Sequence, residues 1–292
     1  MKKLLCVTLC LALLLACVCV AGAEESRYLG VMLSTNVMSL DTVMATDGES
    51  FEVIADCIDG LFQMDASGAA VPALAETYEV SEDGLTYTFH LRDAQWADGT
   101  PVTANDFVFA WKRIALEAVE YNYLMDSSVG CIKNADAVLY DGADVETLGI
   151  EAANEKTFVV NLEVPVSFFP SLMCFPIFYP INEAFFNGLE ANTYGTSPET
   201  FLSNGAFQLE SYTPGTASLT LKKNDTYWNA DSVQLAGIKY QVIQNSGEAL
   251  DAFNKGELDV VTISGNQVSA AENDPALSES LVVTGEIGRA HV

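Results

Sequence analysis

Histidine, the commonest catalytic base and metal ligand, is scarce here: His90 and His291 are the chain's two histidines. A nucleophilic triad needs an imidazole beside a hydroxyl or thiol, and a zinc site needs three or four clustered His, Cys or carboxylate ligands. His90 alternates with Tyr87, Phe89 and Leu91 and so faces away from them, toward solvent or a neighbouring strand. Of seven cysteines, Cys6, Cys10, Cys17 and Cys19 crowd the N-terminus, while Cys57, Cys131 and Cys174 are widely spaced and form no C-x-x-C pair. Those three read as buried apolar side chains, with one bridged pair as the alternative. Neither phosphate-binding glycine motif is present. Forty acidic residues guarantee near pairs such as Asp47 with Glu49 or Asp56 with Asp59, and are expected as solvated surface. No catalytic residue, metal or cofactor is expected.

The elements that would position any site are clearest between Pro72 and Arg113. Leu85, Tyr87, Phe89 and Leu91 alternate with Thr86, Thr88 and His90, the period of a half-buried strand, and SEDG before them supplies a turn. After Trp96 the loop ADGTP reverses the chain. Thr103 can cap a helix with Asp106 three residues on, and Phe107, Trp111 and Ile114 share one helical face. Elsewhere Tyr28 to Leu33 reads as a buried strand, Ser50 as the cap of a helix running to about Phe62, and Ile132 to Leu139 as a helix. Strands follow at 148–152, 157–162, 218–221, 238–243 and 258–261, with a helix at 247–254. The aromatic, Pro-rich segment 164–180 is expected in the core.

PALAETYEVSEDGLTYTFHLRD, followed by W-x-DGTPVTA-x-DFVF-x-W, closely resembles the signature region of the family 5 extracellular solute-binding proteins of ABC importers, the oligopeptide- and dipeptide-binding group. Further along, Tyr121 and Tyr123 fit Y-x-Y-L, Asn204-Gly205-Ala206-Phe207 fits N-G-A/P-Y/F, and Lys223 to Trp228 fits K/R-N-x-x-Y-W. The resemblance extends from about residue 28 to about residue 283. It implies an α/β fold: a periplasmic-binding-protein type II-like first lobe with an inserted α+β subdomain. The main lobe would comprise residues 24–61 and 182–285, the insert 62–181, and the second lobe would be absent. Residues 286–292 resemble an in-frame sequencing adapter and, with His291, are expected to contribute nothing.

The resemblance also implies a monomeric receptor that captures a small solute, here a peptide, and hands it to an ABC permease and ATPase. An extended peptide offers one N–H and one C=O per residue, which protein backbone can hold whatever the side chains are. Loop backbone at Thr46-Asp47-Gly48 suits this, since Gly48 permits dihedrals and close approach closed to other residues, and the resemblance puts ligand contacts in the same loop. Tyr121 and Tyr123 either project to the cleft or serve as core aromatics, and Asn204 and Gly205 either line it or form a structural turn. An oligosaccharide or nickel-chelate ligand within the family, and a secreted carboxylate-pair hydrolase, remain as alternatives.

The start of the chain agrees with work outside the cytoplasm. Lys2 and Lys3, an apolar run to Val20 and Ala21-Gly22-Ala23 read as a signal peptide over 1–23. Leu14-Leu15-Ala16-Cys17 resembles a lipobox, so lipidation at Cys17 is the competing route and the one expected tie to a membrane. A net charge of −27 repels nucleic acid and anionic lipid headgroups, which excludes both as partners.

Overall fold

A computed structural model describes residues 27–117 and 119–282. The expected signal peptide, Cys17 and the C-terminal segment 286–292 lie outside the described residues. The first strand, β1 (Tyr28–Leu33), leads through a loop into helix α1 (Gly48–Cys57). A small hairpin, β2 (Phe62–Met64) with β3 (Ala70–Pro72), turns at Gly68, whose φ of 80° suits glycine. Next come β4 (Ala75–Val80), β5 (Thr86–Leu91) and α2 (Ala104–Leu116). Short helices α3 (Ala135–Tyr140), α4 (Phe169–Leu172) and α5 (Glu183–Asn187) are interspersed with β6 (Ile150–Asn154) and β7 (Thr157–Asn161). The described chain finishes with β8 (Phe207–Ser211), β9 (Ser218–Lys223), β10 (Gly237–Val242), α6 (Ser246–Asn254) and α7 (Asn266–Asn273).

These strands make two four-stranded sheets. One runs β1-β10-β9-β8, with β1 parallel to β10 and the other pairs antiparallel. The other is antiparallel throughout, β4-β5-β7-β6, and draws every strand from residues 75–161. The signature stretch folds as its pattern demands. Tyr87, Phe89 and Leu91 are buried while Thr86, Thr88 and His90 are only half-buried. His90 sits 3.9 Å from Glu79 on the neighbouring strand. On α2 the Asp106 carboxylate accepts from the Thr103 amide at 2.8 Å and from Trp96 Nε1 at 3.2 Å. Phe107, Trp111 and Ile114 are fully buried, and Trp111 Nε1 donates to the Phe178 carbonyl at 3.0 Å. Phe158 of β7 meets Phe107 and Trp111 at 5.5 and 5.0 Å, which docks α2 on the second sheet.

Four expectations need correction. Helix α1 begins at Gly48, capped by Asp47, because this carboxylate takes both the Ser50 amide (2.8 Å) and the Ser50 hydroxyl (2.7 Å) and leaves Ser50 inside the first turn. It also stops at Cys57, where Ile58 turns to an extended conformation. Helix α3 starts only at Ala135, since Ile132 bridges to Leu162 and Asn134 adopts a left-handed φ of 62°. The strand expected at 258–261 reduces to one parallel bridge, Val31 to Val260. There the Asp259 side chain takes the Gly30 amide at 2.8 Å, and the Gly30 carbonyl accepts from both Asp259 and Val260, so the ladder cannot extend. In 164–180, Phe169, Met173, Ile177, Phe178 and Tyr179 are core as expected, but Phe168 is half exposed. Cys57 and Cys131 are buried and Cys174 partly so, all as free thiols.

Candidate functional site

Thr46 closes a tight turn. The Asp41 carbonyl accepts from Met44 and Ala45 (3.1 and 2.9 Å), and its carboxylate accepts from the Val43 amide (3.0 Å). Thr46 and Gly48 emerge exposed on either side of Asp47. Gly48 is the first residue of α1 and has no positive φ, so its value here is the absence of a side chain on an exposed helix start, not an unusual dihedral. Asp47 is committed to its cap.

Against this turn stands an aromatic ledge. The chain beyond α2 brings Tyr121 back so that its hydroxyl donates to the Thr46 carbonyl at 3.2 Å. Its ring lies edge-on to Phe51 of α1 (5.7 Å) and to Phe175 (5.4 Å), and those two meet each other at 5.0 Å. Tyr123 continues the ledge 6.3 Å from Tyr121 and is 42% exposed. Partial burial, with Glu120, Tyr123 and Asp47 nearby, raises the Tyr121 phenol above its ordinary pKa, so it stays a neutral donor. The arrangement offers a carbonyl with a spare lone pair, an exposed glycine backbone and apolar ring surface. It offers no nucleophile with a base. The structure therefore brings together five of the seven sequence-predicted residues: Thr46, Asp47, Gly48, Tyr121 and Tyr123.

Asn204 and Gly205 lie at the other end of α1, which at about 1.5 Å per residue puts them some helix length away. Both donate their amides to the Cys57 carbonyl (3.2 and 2.8 Å), and Asn204 Oδ1 accepts from the Asp59 amide at 2.8 Å. Asn204 is wholly buried, and a Cβ on Gly205 would fall 2.7 Å from the Cys57 carbonyl carbon. Asn224 Nδ2 holds the Gly205 carbonyl at 2.8 Å, so the N-G-A-F and K-N-D-T-Y-W motifs interlock as the frame around that helix end.

The carboxylate pairs separate in the same way. Glu49 accepts from the Ser34 hydroxyl, Asp56 from Tyr240 at 2.5 Å, and Asp59 from Trp228 Nε1 at 2.8 Å. Asp59 is buried and Asp56 half-buried, contrary to the expected solvated surface, because each has a phenol or indole donor that pattern alone does not reveal. Burial raises Asp59 to about 6, opposed by the donors Trp228 and Tyr227 and by Arg92. The Arg92 guanidinium stacks 3.6 Å over the Trp228 ring. Among the described residues no group of three or more His, Cys, Asp or Glu could hold a metal ion, and no helix is long and apolar enough to cross a membrane.

Phe51, Phe175 and the Asp41–Arg113 pair are the parts of this site that sequence reasoning missed. In the sequence Phe51 is one apolar position of a helical pattern and Phe175 one aromatic of the segment expected in the core. The signal that could have found the pair is its position: Asp41 closes Ser39-Leu40-Asp41 just before the Thr46 loop, and Arg113 ends the signature stretch.

Comparison with known proteins bears on the family and the fold. The sequence profile described as bacterial extracellular solute-binding proteins, family 5 Middle, matches residues 69–290. The chain is 32% identical over 252 residues to the dipeptide-binding protein of Lactococcus lactis subsp. cremoris, covering 84% of this chain and 45% of that protein. It is 35% identical over 243 residues to the oligopeptide-binding protein OppA of Bacillus subtilis, covering 82% and 44%. The solved structure of Listeria monocytogenes OppA bound to peptide superposes with a TM-score of 0.80 at 33% identity, over 86% of this chain and 49% of that one. The chain thus spans a little under half the length of these three relatives, which are binding proteins. With the mixed α/β fold of those substrate-binding proteins and the profile match over most of its length, the chain belongs to the bacterial extracellular solute-binding proteins, family 5.

Proposed function

We propose that this chain supplies one wall of a peptide-binding cleft in an extracytoplasmic receptor for an ABC importer. The observation that carries the reading is the convergence of the exposed Thr46–Gly48 backbone with the Tyr121–Tyr123 ledge. An extended peptide laid there would find an acceptor at Thr46, close approach at Gly48 and ring faces for its side chains. The printed names of the relatives, dipeptide- and oligopeptide-binding proteins, support peptide as the solute. Asn204 and Gly205 belong to the frame in this reading.

The layout that goes with it is a main lobe of 24–61 and 182–285 carrying an insert of 62–181, consistent with the two sheets drawing on those segments. A second lobe would close over the ligand, exclude water and present the closed form to a permease and its ATPase, a hinge-type population shift. The receptor acts as a monomer, without catalysis, outside the cytoplasmic membrane. Thermal unfolding of the full-length gene product against di- to pentapeptides, oligosaccharides and nickel chelates tests this. Stabilisation by peptides supports it, whereas stabilisation by none of them, or by sugars alone, sinks it.

A further inference from the structure

The Arg113 guanidinium at the end of α2 grips Asp41 with two parallel bonds, Nη1 to Oδ1 at 3.1 Å and Nη2 to Oδ2 at 2.9 Å, and both side chains are more than nine-tenths buried. The remaining edge of the guanidinium is bound by Glu117 (2.8 and 3.0 Å). Its face lies 4.2 Å above the Phe186 ring and 6.0 Å from Tyr194. The fork is therefore fixed before it meets Asp41. On the far side, Gly195 packs so closely that a Cβ would sit 2.5 Å from the Asp41 amide, and its carbonyl holds the Leu40 amide at 3.3 Å.

Asp41 in turn organises the 41–45 turn through both its carboxylate and its carbonyl. The turn ends at Thr46, whose carbonyl is taken by Tyr121, eight residues beyond Arg113 in the same chain segment. The loop hangs between two contacts from one segment: a charged fork at its base and a phenol at its tip. A buried ion pair is weak evidence for added stability, since apolar residues of similar volume often serve as well. A bidentate pair supplies direction that apolar packing does not.

We infer that Arg113, acting through Asp41, is a positioning residue that sets where the Thr46 carbonyl and Gly48 backbone face the ligand, an inference that rests on the reading of that loop as ligand-facing. Lysine keeps the charge but is a point donor without the fork, so it restores the charge without the direction.

The test compares Arg113→Lys and Arg113→Met with the unaltered full-length protein, by hydrogen–deuterium exchange and by titration with trialanine. The expected result is faster exchange at Val43, Met44 and Ala45 in both variants, with β5 and β9 as protected as before. Trialanine affinity falls about tenfold in Arg113→Lys and further in Arg113→Met, a change typical of coupling between linked sites. Unchanged loop exchange in Arg113→Met overturns the inference, as does loosened exchange with unchanged affinity. If the unaltered protein takes up no trialanine, the peptide-binding reading fails, and the exchange arm alone decides whether Arg113 holds the loop. Should Arg113→Met not fold, Asp41→Asn, which retains the shape and one acceptor, is put through the same two measurements with the same expectations.

Discussion

The Tyr121 hydroxyl donates to the Thr46 main-chain carbonyl at 3.2 Å across 75 positions of sequence, joining the chain beyond α2 to the loop before α1. Because the ring also packs on Phe51 and Phe175, the residue contributes through both packing and polarity. Tyr121→Phe, which removes only the hydroxyl, should lower unfolding stability by about 0.5–1.5 kcal/mol, the net worth of an ordinary hydrogen bond. Tyr121→Ala should lower it further and open the ring cluster, seen as greater exposure of Phe51 and Phe175 to solvent. Urea denaturation of both variants checks the order, and equal losses would contradict it.

Asp47 caps α1 through the Ser50 amide and hydroxyl. Asp47→Ala should destabilise the protein by about 1 kcal/mol, and Asp47→Ser, which retains a capping oxygen, by much less. Peptide affinity should follow the same order only as far as the start of α1 frays. An affinity loss in Asp47→Ser equal to that in Asp47→Ala would assign the carboxylate a direct role.

At the other end of α1, two substitutions probe the frame. Trp228→Phe removes the indole N–H that satisfies the buried Asp59 carboxyl and should cost about 1–3 kcal/mol. Gly205→Ala drives a methyl into the Cys57 carbonyl and should cost about 1–3 kcal/mol, because the neighbour is backbone and cannot swing aside. Both should leave exchange at residues 43–48 unchanged. Differential exchange mapping checks this separation of frame from site.

Stability should rise as pH falls from 8 to 5. Burial raises Asp56 and Asp59 to about 6, and Glu52, whose side chain reaches solvent, is raised to about 7 by partial desolvation on α1 and by the neighbouring Asp56 and Glu49. A carboxyl whose folded pKa lies above its unfolded value of about 4 destabilises the fold when ionised. That penalty is full above the folded pKa and is relieved as pH falls toward the unfolded one. Below about pH 4 the trend reverses, as Asp65, Asp83, Asp126 and Glu199, all held below their ordinary values by hydrogen bonds, begin to take up protons. Urea midpoints at pH 8 and pH 5 test the sign. Glu52→Gln should raise the midpoint at pH 8 more than at pH 5, and an equal rise at both would contradict the assignment.

Local pattern carried much of the fold. The alternation from Leu85 to Leu91 and the Thr103–Asp106 cap were legible because each depends on residues within one turn or one strand. The start of α1 misled because Asp47 and Ser50 are both good caps, and only the structure shows one serving the other. The absent strand at 258–261 follows from the Asp259 side chain competing with backbone for Gly30, which propensity does not register. For the site, Thr46 and Tyr121 were both singled out, yet nothing in the sequence says that they touch. Asn204 failed to join them because N-G-A-F is read as a motif without knowing which end of α1 it meets.

The account stands or falls on where a peptide lands. Hydrogen–deuterium exchange of the full-length gene product with and without saturating trialanine measures it directly. Added protection at residues 43–49 and around Tyr121 to Tyr123, lost in Tyr121→Ala, is the predicted result. Protection confined to other surfaces, with these residues unchanged, would contradict the assignment of the cleft wall.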